Sequence, residues 1–271
     1  MSKALAETPV DLSEMIEHLV TEDDEPVDNF FSAKEQRLLA NSLYASWTPP
    51  PSKDHPKKRR RFLADVNVGI FFALHQPPLV PDFFLSLDVE PHRDWHRKEH
   101  RSYFVWEFGK VPEVVIEVVS NRKGGELTAK LRDYAQMGVN YYVVHDPERQ
   151  LSKDALRVYE LGFGKRYRLR EDKRLPDLGL SLTLWRGMFE GKEEEWLRWM
   201  DAKGRLIPTG EERAASAEKR ATNAEKRASS AEKRAASAEK RASDAEAEIE
   251  RLRAELARRT RAKKRASGNR G

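Results

Sequence analysis

Along the first 210 residues the spacing of apolar positions alternates between helical and extended periods. Leu38, Leu39, Leu43 and Trp47 recur at helical spacing, which predicts a helix over residues 33–47. A shorter helix is predicted over residues 12–20, followed by an acidic loop at 21–28. The run TPPPSKDHPKKRRR, residues 48–61, breaks the pattern, because proline does not continue a helix and its lysines and arginines belong in water. Strand-like runs follow at residues 62–68, 69–74 and 79–87, punctuated by Gln76, Pro77 and Pro78. A polar loop, EPHRDWHRKEHRS, separates these from residues 114–119, which are apolar on both faces, as a central strand covered by helices must be. After Gly124 and Gly125 a helix is predicted over residues 126–137, stopped by Gly138, and then a strand over 141–144. Strand, helix, strand at this length is a crossover unit and predicts parallel pairing at the centre of a sheet. Strands near 156–160 and 166–170, the stretch LPDLGLSL and a hairpin-like WLRWMDAKGRLIP complete the region.

From Ala214 the period becomes seven. Apolar residues fall at alternating steps of three and four, through Ala217, Ala221, Ala224 and onward to Ile249, Leu252 and Leu256. Alanine is the best helix former, and neither Gly nor Pro occurs between Glu211 and Ser267, so one long helix is predicted. An alanine seam buries little area per heptad, so association is weak until Ile249, Leu252 and Leu256 supply larger knobs. The helix therefore either pairs, most simply as a homo-oligomer through residues 211–260, or stays solvated and single. Residues 261–271 read as a disordered basic end that touches phosphates non-specifically or only solubilises.

Charge sharpens the division. The chain of 271 residues has 50 Lys+Arg and 45 Asp+Glu; residues 211–271 hold 18 and 11 of these, which leaves 32 and 34 before them. Only the tail is basic. No long apolar run occurs and MSKALAETPV lacks an apolar segment behind a basic start, so no membrane span is expected and the cytoplasm is the expected compartment. With no cysteine, thiol nucleophiles and Cys-bearing metal sites are excluded, and the 7 His show no HExxH spacing. Any metal would be held by oxygen.

Glu117 is the anomaly in this pattern, a carboxylate in the middle of the apolar run PEVVIEVVS. Burying it unpaired would cost several kcal/mol, so it needs a metal, a cation or a proton; a core Arg or Lys would also serve. Asp82 opens another apolar strand in LVPDFFL, at a spacing that lets neighbouring strands bring the two together, although Pro-Asp is also a common turn. Paired carboxylates repel unless a cation joins them. Hard oxygen ligands suit Mg²⁺ or Mn²⁺, with the backbone carbonyl of Val119 as a further oxygen. Lys130 falls at the edge of a buried stripe of Leu127, Leu131 and Tyr134, where it could reach Glu117 and stabilise charge on a phosphate. The alternative is a solvated Lys130 paired with Glu126.

PDFFLS, then EVVIEVVSNRKGGELTAKLRDYAQMGVNYYVVHDPE, then LPDLGLSL resembles the Uma2 family of endonucleases, a branch of the PD-(D/E)XK nuclease superfamily, over roughly residues 62–209. The matching pieces are Pro81-Asp82, Glu117-Val118-Val119-Ser120, the loop 121–125, Glu126 with Lys130, Tyr134 and Asp146-Pro147. In the wider superfamily the lysine stands two residues after the Glu, where this chain has Val119; Lys130 looks like its migrated replacement. The resemblance implies a restriction-endonuclease-like α/β core with a mixed central sheet flanked by helices, followed by the Ala-rich heptad helix. The domains are then residues 1–210, with a core at about 30–190, a heptad helix at 211–260 and a basic end at 261–271. It also implies metal-dependent phosphodiester hydrolysis of DNA, with Asp82 and Glu117 as ligands, Lys130 as charge stabiliser and Glu35 of the first core helix near the metal. Lys57, Lys58, Arg59, Arg60 and Arg61, with Arg97 and Arg101 in the later loop, are candidates for phosphate contact across a cleft, or simply solvated cations. The rival reading is an inactive nuclease-fold scaffold, or a nucleic-acid-binding protein, that acts through its coiled-coil tail.

Overall fold

A computed structural model of the chain describes residues 29–267, apart from 53–55, 57, 58, 74, 75, 95, 98, 99 and 123. The helix expected at 12–20, Lys57 and Lys58 lie outside the described residues. The chain divides into two compact units, residues 1–210 and 211–271.

Helix α1 (Phe30–Ser46) begins where the Asn29 side chain accepts the N–H of Ser32 at 2.8 Å, satisfying one of the donors a helix start leaves open. It buries Leu38, Leu39 and Leu43. Strands β1 (Phe62–Asp65), β2 (Ile70–Phe71), β3 (Phe83–Leu87) and β4 (Tyr103–Phe104) follow, then a short helix α2 (Val105–Phe108), strand β5 (Val114–Val118), helix α3 (Ala129–Met137) and strand β6 (Tyr141–His145). Next come β7 (Leu156–Gly162), β8 (Arg166–Leu169), β9 (Arg174–Leu175), β10 (Leu180–Phe189) and β11 (Lys192–Asp201).

The central sheet has the order β1-β3-β5-β6-β7-β8. Its β5–β6 pair is parallel, joined by the α3 crossover as the spacing predicted, and its other pairs are antiparallel. All residues of β5 and β6 are buried because both faces are covered. On one face Leu39 and Leu43 of α1 pack with Ile116 and Val143; on the other Tyr134 and Met137 of α3 pack with Val115 and Tyr142. β10 and β11 form a long hairpin with β9 along its edge, and β11 lies on α1, where Trp199 Nε1 donates to the Leu39 carbonyl at 3.1 Å. β2 and β4 make a separate parallel pair.

Several boundaries differ from the pattern-based expectation. α3 starts at Ala129 rather than Glu126, because Gly125 adopts φ +71° and its carbonyl accepts the N–H groups of Thr128 and Lys130. β1 stops at Asp65 and Asn67 turns the chain with φ 52°. The hairpin expected at WLRWMDAKGRLIP is present: the chain reverses at residues 201–205, with Met200 bridged to Leu206 and the Ile207 N–H donated to the Trp199 carbonyl at 2.9 Å. Its first arm is also the second arm of the longer β10–β11 hairpin, whose reversal at Glu190-Gly191, both with positive φ, the pattern did not predict.

In the second unit, helix α4 (Gly210–Ser267) runs for 58 residues, into the stretch expected to be irregular. Ile249, Leu252 and Leu256 are exposed on it. Among the described residues no helix is long and apolar enough to cross a membrane.

Candidate active site

The register of the central sheet creates the site. Antiparallel β3 and β5 pair Phe83 with Ile116 and Phe84 with Val115, so one further step sets Asp82 opposite Glu117. β3 ends there, and Asp82 takes over its pairing role: Oδ2 accepts the Val118 N–H at 2.7 Å, and Oδ1 accepts Nε2 of Gln36 at 2.9 Å. Gln36 in turn exchanges hydrogen bonds with the Asn67 amide, at 3.1 and 3.3 Å.

Glu117 is 1% exposed. Its Oε2 accepts Lys130 Nζ at 2.9 Å and its Oε1 accepts the Tyr134 hydroxyl at 2.8 Å. Burial pushes its carboxyl up to about 7 against the pull of Lys130, and Asp82 adds to the rise. Burial works against the Lys130 charge, yet Glu117, Glu126 and Asp82 together hold the ammonium above its ordinary value. The Tyr134 hydroxyl is raised well above its usual range by burial and by Glu117, so it remains a donor. Glu126 is also buried: Oε1 lies 3.6 Å from Lys130 Nζ, while Oε2 has no hydrogen-bond partner. Gly124 makes this possible, since a Cβ there would stand 2.0 Å from Glu126 Oε1. Lys130 therefore bridges two buried acids, and the reading of a solvated Lys130 paired only with Glu126 does not hold.

Glu35 sits elsewhere. It is fully buried, but its Oε2 accepts the Leu197 N–H of β11 at 3.1 Å and lies 3.8 Å from His145 Nδ1. Burial raises the Glu35 carboxyl to about 8 and lowers His145 to about 4, so at pH 7 both are neutral and no ion pair exists between them. Adjacent helix positions point about 100° apart, and it is Gln36, not Glu35, that α1 turns toward Asp82. Val119, the residue named for its carbonyl, follows β5 with its side chain buried and its N–H donated to the His145 carbonyl at 2.8 Å.

The basic candidates separate. Arg60 pairs with Asp88 at 2.7 Å and Arg61 with Glu90; with Arg59 and Trp47 they line a groove of about 970 Å³. Asp88 is six residues beyond Asp82 along β3, about 20 Å away at strand rise, so this run does not flank the carboxylates. Arg97 is exposed, and Arg101, whose Nη2 donates to the His96 carbonyl at 2.6 Å, lines a smaller cavity beside Phe84.

Among the described residues no three His, Asp or Glu side chains form a metal cage. Magnesium does not require one, because it binds through one or two carboxylates and keeps waters and substrate phosphates as its other ligands. Two carboxylates coupled across β3 and β5, an all-oxygen donor set and the partnerless Glu126 Oε2 fit such an ion.

A mixed sheet with a buried acid on its central strand, a second acid at the head of the next strand and a lysine bridging to a third defines an α/β protein with a cluster of coupled acids at one end of its sheet. The model of the Uma2 family, described as "Putative restriction endonuclease", matches residues 25–187, and the chain belongs to this family. Membership implies a restriction-endonuclease-like fold for the core, and suggests a nuclease. No curated protein matches the chain.

Proposed function

We propose that this protein is a metal-dependent endonuclease that hydrolyses phosphodiester bonds of DNA. The observation that carries the reading is Glu117, a buried carboxylate held by Lys130 and Tyr134 and electrostatically coupled to Asp82. Asp82, Glu117 and the Val119 carbonyl would hold Mg²⁺ or Mn²⁺, which when bound activates water and offsets charge on a phosphate. Gln36 and the Val118 N–H orient Asp82. Tyr134 fixes one oxygen of Glu117 and leaves the group ionisable near neutral pH. Lys130, kept charged by the acids around it, is placed to pair with a phosphate oxygen and stabilise the charge that grows there. Arg97 and Arg101, two described cations of the loop between β3 and β4, would contact the DNA backbone. The heptads of α4 would pair copies of the chain through residues 211–260, so deleting them should leave a monomer with its metal site.

The test is cleavage of supercoiled and linear DNA with Mg²⁺, Mn²⁺ or EDTA, beside Glu117→Gln and Asp82→Asn variants shown to fold by circular dichroism. Nicking that needs the metal and both acids supports the reading. One observation favours the rival scaffold: both oxygens of Glu117 already have partners within the chain. Equal inertness of wild type and variants, with no metal binding by calorimetry, would establish it.

A further inference from the structure

A cavity of about 260 Å³ opens against Phe84 and Tyr103, on the face of the central sheet that carries α3. Leu63, Val68 and Phe84 give it an apolar floor. Phe84 stands two residues past Asp82, about 7 Å along the chain, and belongs to the same apolar cluster as Tyr134, the hydroxyl donor to Glu117. The wall is aromatic. His92 and His100 stack with ring centres 3.9 Å apart and planes within 9°, and Phe108 leans on His92 at 5.2 Å. One atom of this wall is unsatisfied: His92 Nε2 is buried and has no hydrogen-bond partner.

The charges at the rim decide what kind of occupant fits. Arg101 and Asp65 both line the cavity, one cation against one carboxylate, and Arg101 already donates to the His96 carbonyl. No surplus positive charge selects an anion. The floor and wall ask for a flat, neutral ring, and Asp65 asks for a polar group on that ring's edge. The volume accommodates one such ring system and is below that of most drug-sized ligand sites. We propose that this cavity receives one nucleobase of the strand whose phosphate lies at Asp82 and Glu117, taken out of its stack and set against the His92–His100 wall. The inference rests on the reading of the site as acting on DNA, and it adds a recognition subsite to it. The base would hold the strand in register with the carboxylates, so the preferred substrate is a single strand or a duplex that opens locally, not an intact stacked duplex.

The test compares two probes of equal length and charge in EDTA, with the full chain: a labelled single-stranded hexanucleotide of mixed sequence, and a hexamer of abasic sugar phosphates. Fluorescence anisotropy should show the base-bearing strand binding about tenfold tighter. A His92→Ala/His100→Ala variant should bring that ratio close to one while leaving affinity for the abasic strand unchanged, the unchanged value also showing that the fold is intact. Equal binding of the two probes by wild type, or a ratio that survives the double substitution, overturns the subsite and leaves the nuclease reading standing. Binding of neither probe overturns the subsite, and the nuclease reading is then decided by metal-dependent cleavage of supercoiled and linear DNA alone. A tenfold preference in a protein that fails to cleave DNA with metal keeps the subsite and removes the nuclease.

Discussion

Replacing Glu35 by glutamine removes a proton-binding group from the core with little change of shape. In the folded protein burial raises this carboxyl from 4.5 to about 8, only partly opposed by the Leu197 N–H and by Arg198. The folded state therefore keeps a proton that the unfolded chain releases above pH 4.5. The stability tied to that proton is full below 4.5, falls as pH rises, and is lost once pH passes about 8. His145 runs the other way: lowered to about 4, it costs stability only below its unfolded value near 6.5. Between pH 6.5 and 8.5 Glu35 therefore acts without His145, and linkage gives it about 2 kcal/mol of destabilisation across that window. Glu117, raised to about 7, titrates there with the same sign, so the quantity to read is the difference between wild type and Glu35→Gln. Urea unfolding followed by fluorescence of the buried Trp196 and Trp199 should show wild type losing about 2 kcal/mol more than the variant between those two pH values. Parallel losses would refute the placement of Glu35 as a neutral core acid. So would loss of metal binding in Glu35→Gln, because that is the behaviour of a ligand and not of a residue turned toward β11.

Lys130→Met leaves Glu117 with Tyr134 alone; because Lys130 is 34% exposed, the cost should be about 1–3 kcal/mol, larger at pH 8 than at pH 6, in chemical denaturation at both pH values. Divalent-cation affinity should fall about tenfold per unit as pH drops below about 7, where Glu117 takes up its proton; calorimetry giving equal affinities at pH 6 and 8 would contradict this. Gly124→Ala places a Cβ against the Glu126 carboxylate, so thermal unfolding should report a loss of about 1–2 kcal/mol, and an unchanged midpoint would show that Glu126 moves aside freely.

The crossover unit and its acid were legible because a charge interrupts an apolar run, and an interruption of that kind has few physical explanations. Asp82 was legible for the same reason, with the strand register supplying what spacing alone could not. Tyr134 and Gln36 were not. A tyrosine within a buried stripe has the pattern of ordinary core, and only its contact with Glu117 gives the hydroxyl a role. Gln36 and Glu35 are neighbours, and which of them faces Asp82 depends on a helix rotation that propensity does not determine; the formal charge drew attention to the wrong one. The first arm of the β10–β11 hairpin was hidden by its reversal, since Glu190-Gly191 lacks the Asn-Gly or Asp-Gly signature, and by Glu193, Glu194 and Glu195, which resemble a solvated helix face. The basic run at Arg59–Arg61 had the composition of a groove reader, but its neighbours Asp88 and Glu90 became visible only once β1 and β3 were paired.

The contacts that neutralise Glu117 are short in sequence. Lys130 is 13 residues away and Tyr134 is 17, whereas Asp82 reaches Val118 over 36 residues and Gln36 reaches Asp82 over 46. Loops of 13 and 17 residues close sooner and at less entropic expense than the longer ones. During refolding, the β5–α3–β6 segment can thus bury its carboxylate with a cation and a hydroxyl already in place, before the antiparallel strand that brings Asp82 has docked. In that order the acid does not wait in an apolar core without a counter-charge, and the second carboxylate arrives later, at the partly exposed head of β3 where solvent relieves the repulsion. Pulse-labelled hydrogen exchange should accordingly protect the amides of Val143 and His145, which lie on the β5 side of β6, before that of Val118, whose partner is the late-arriving Asp82.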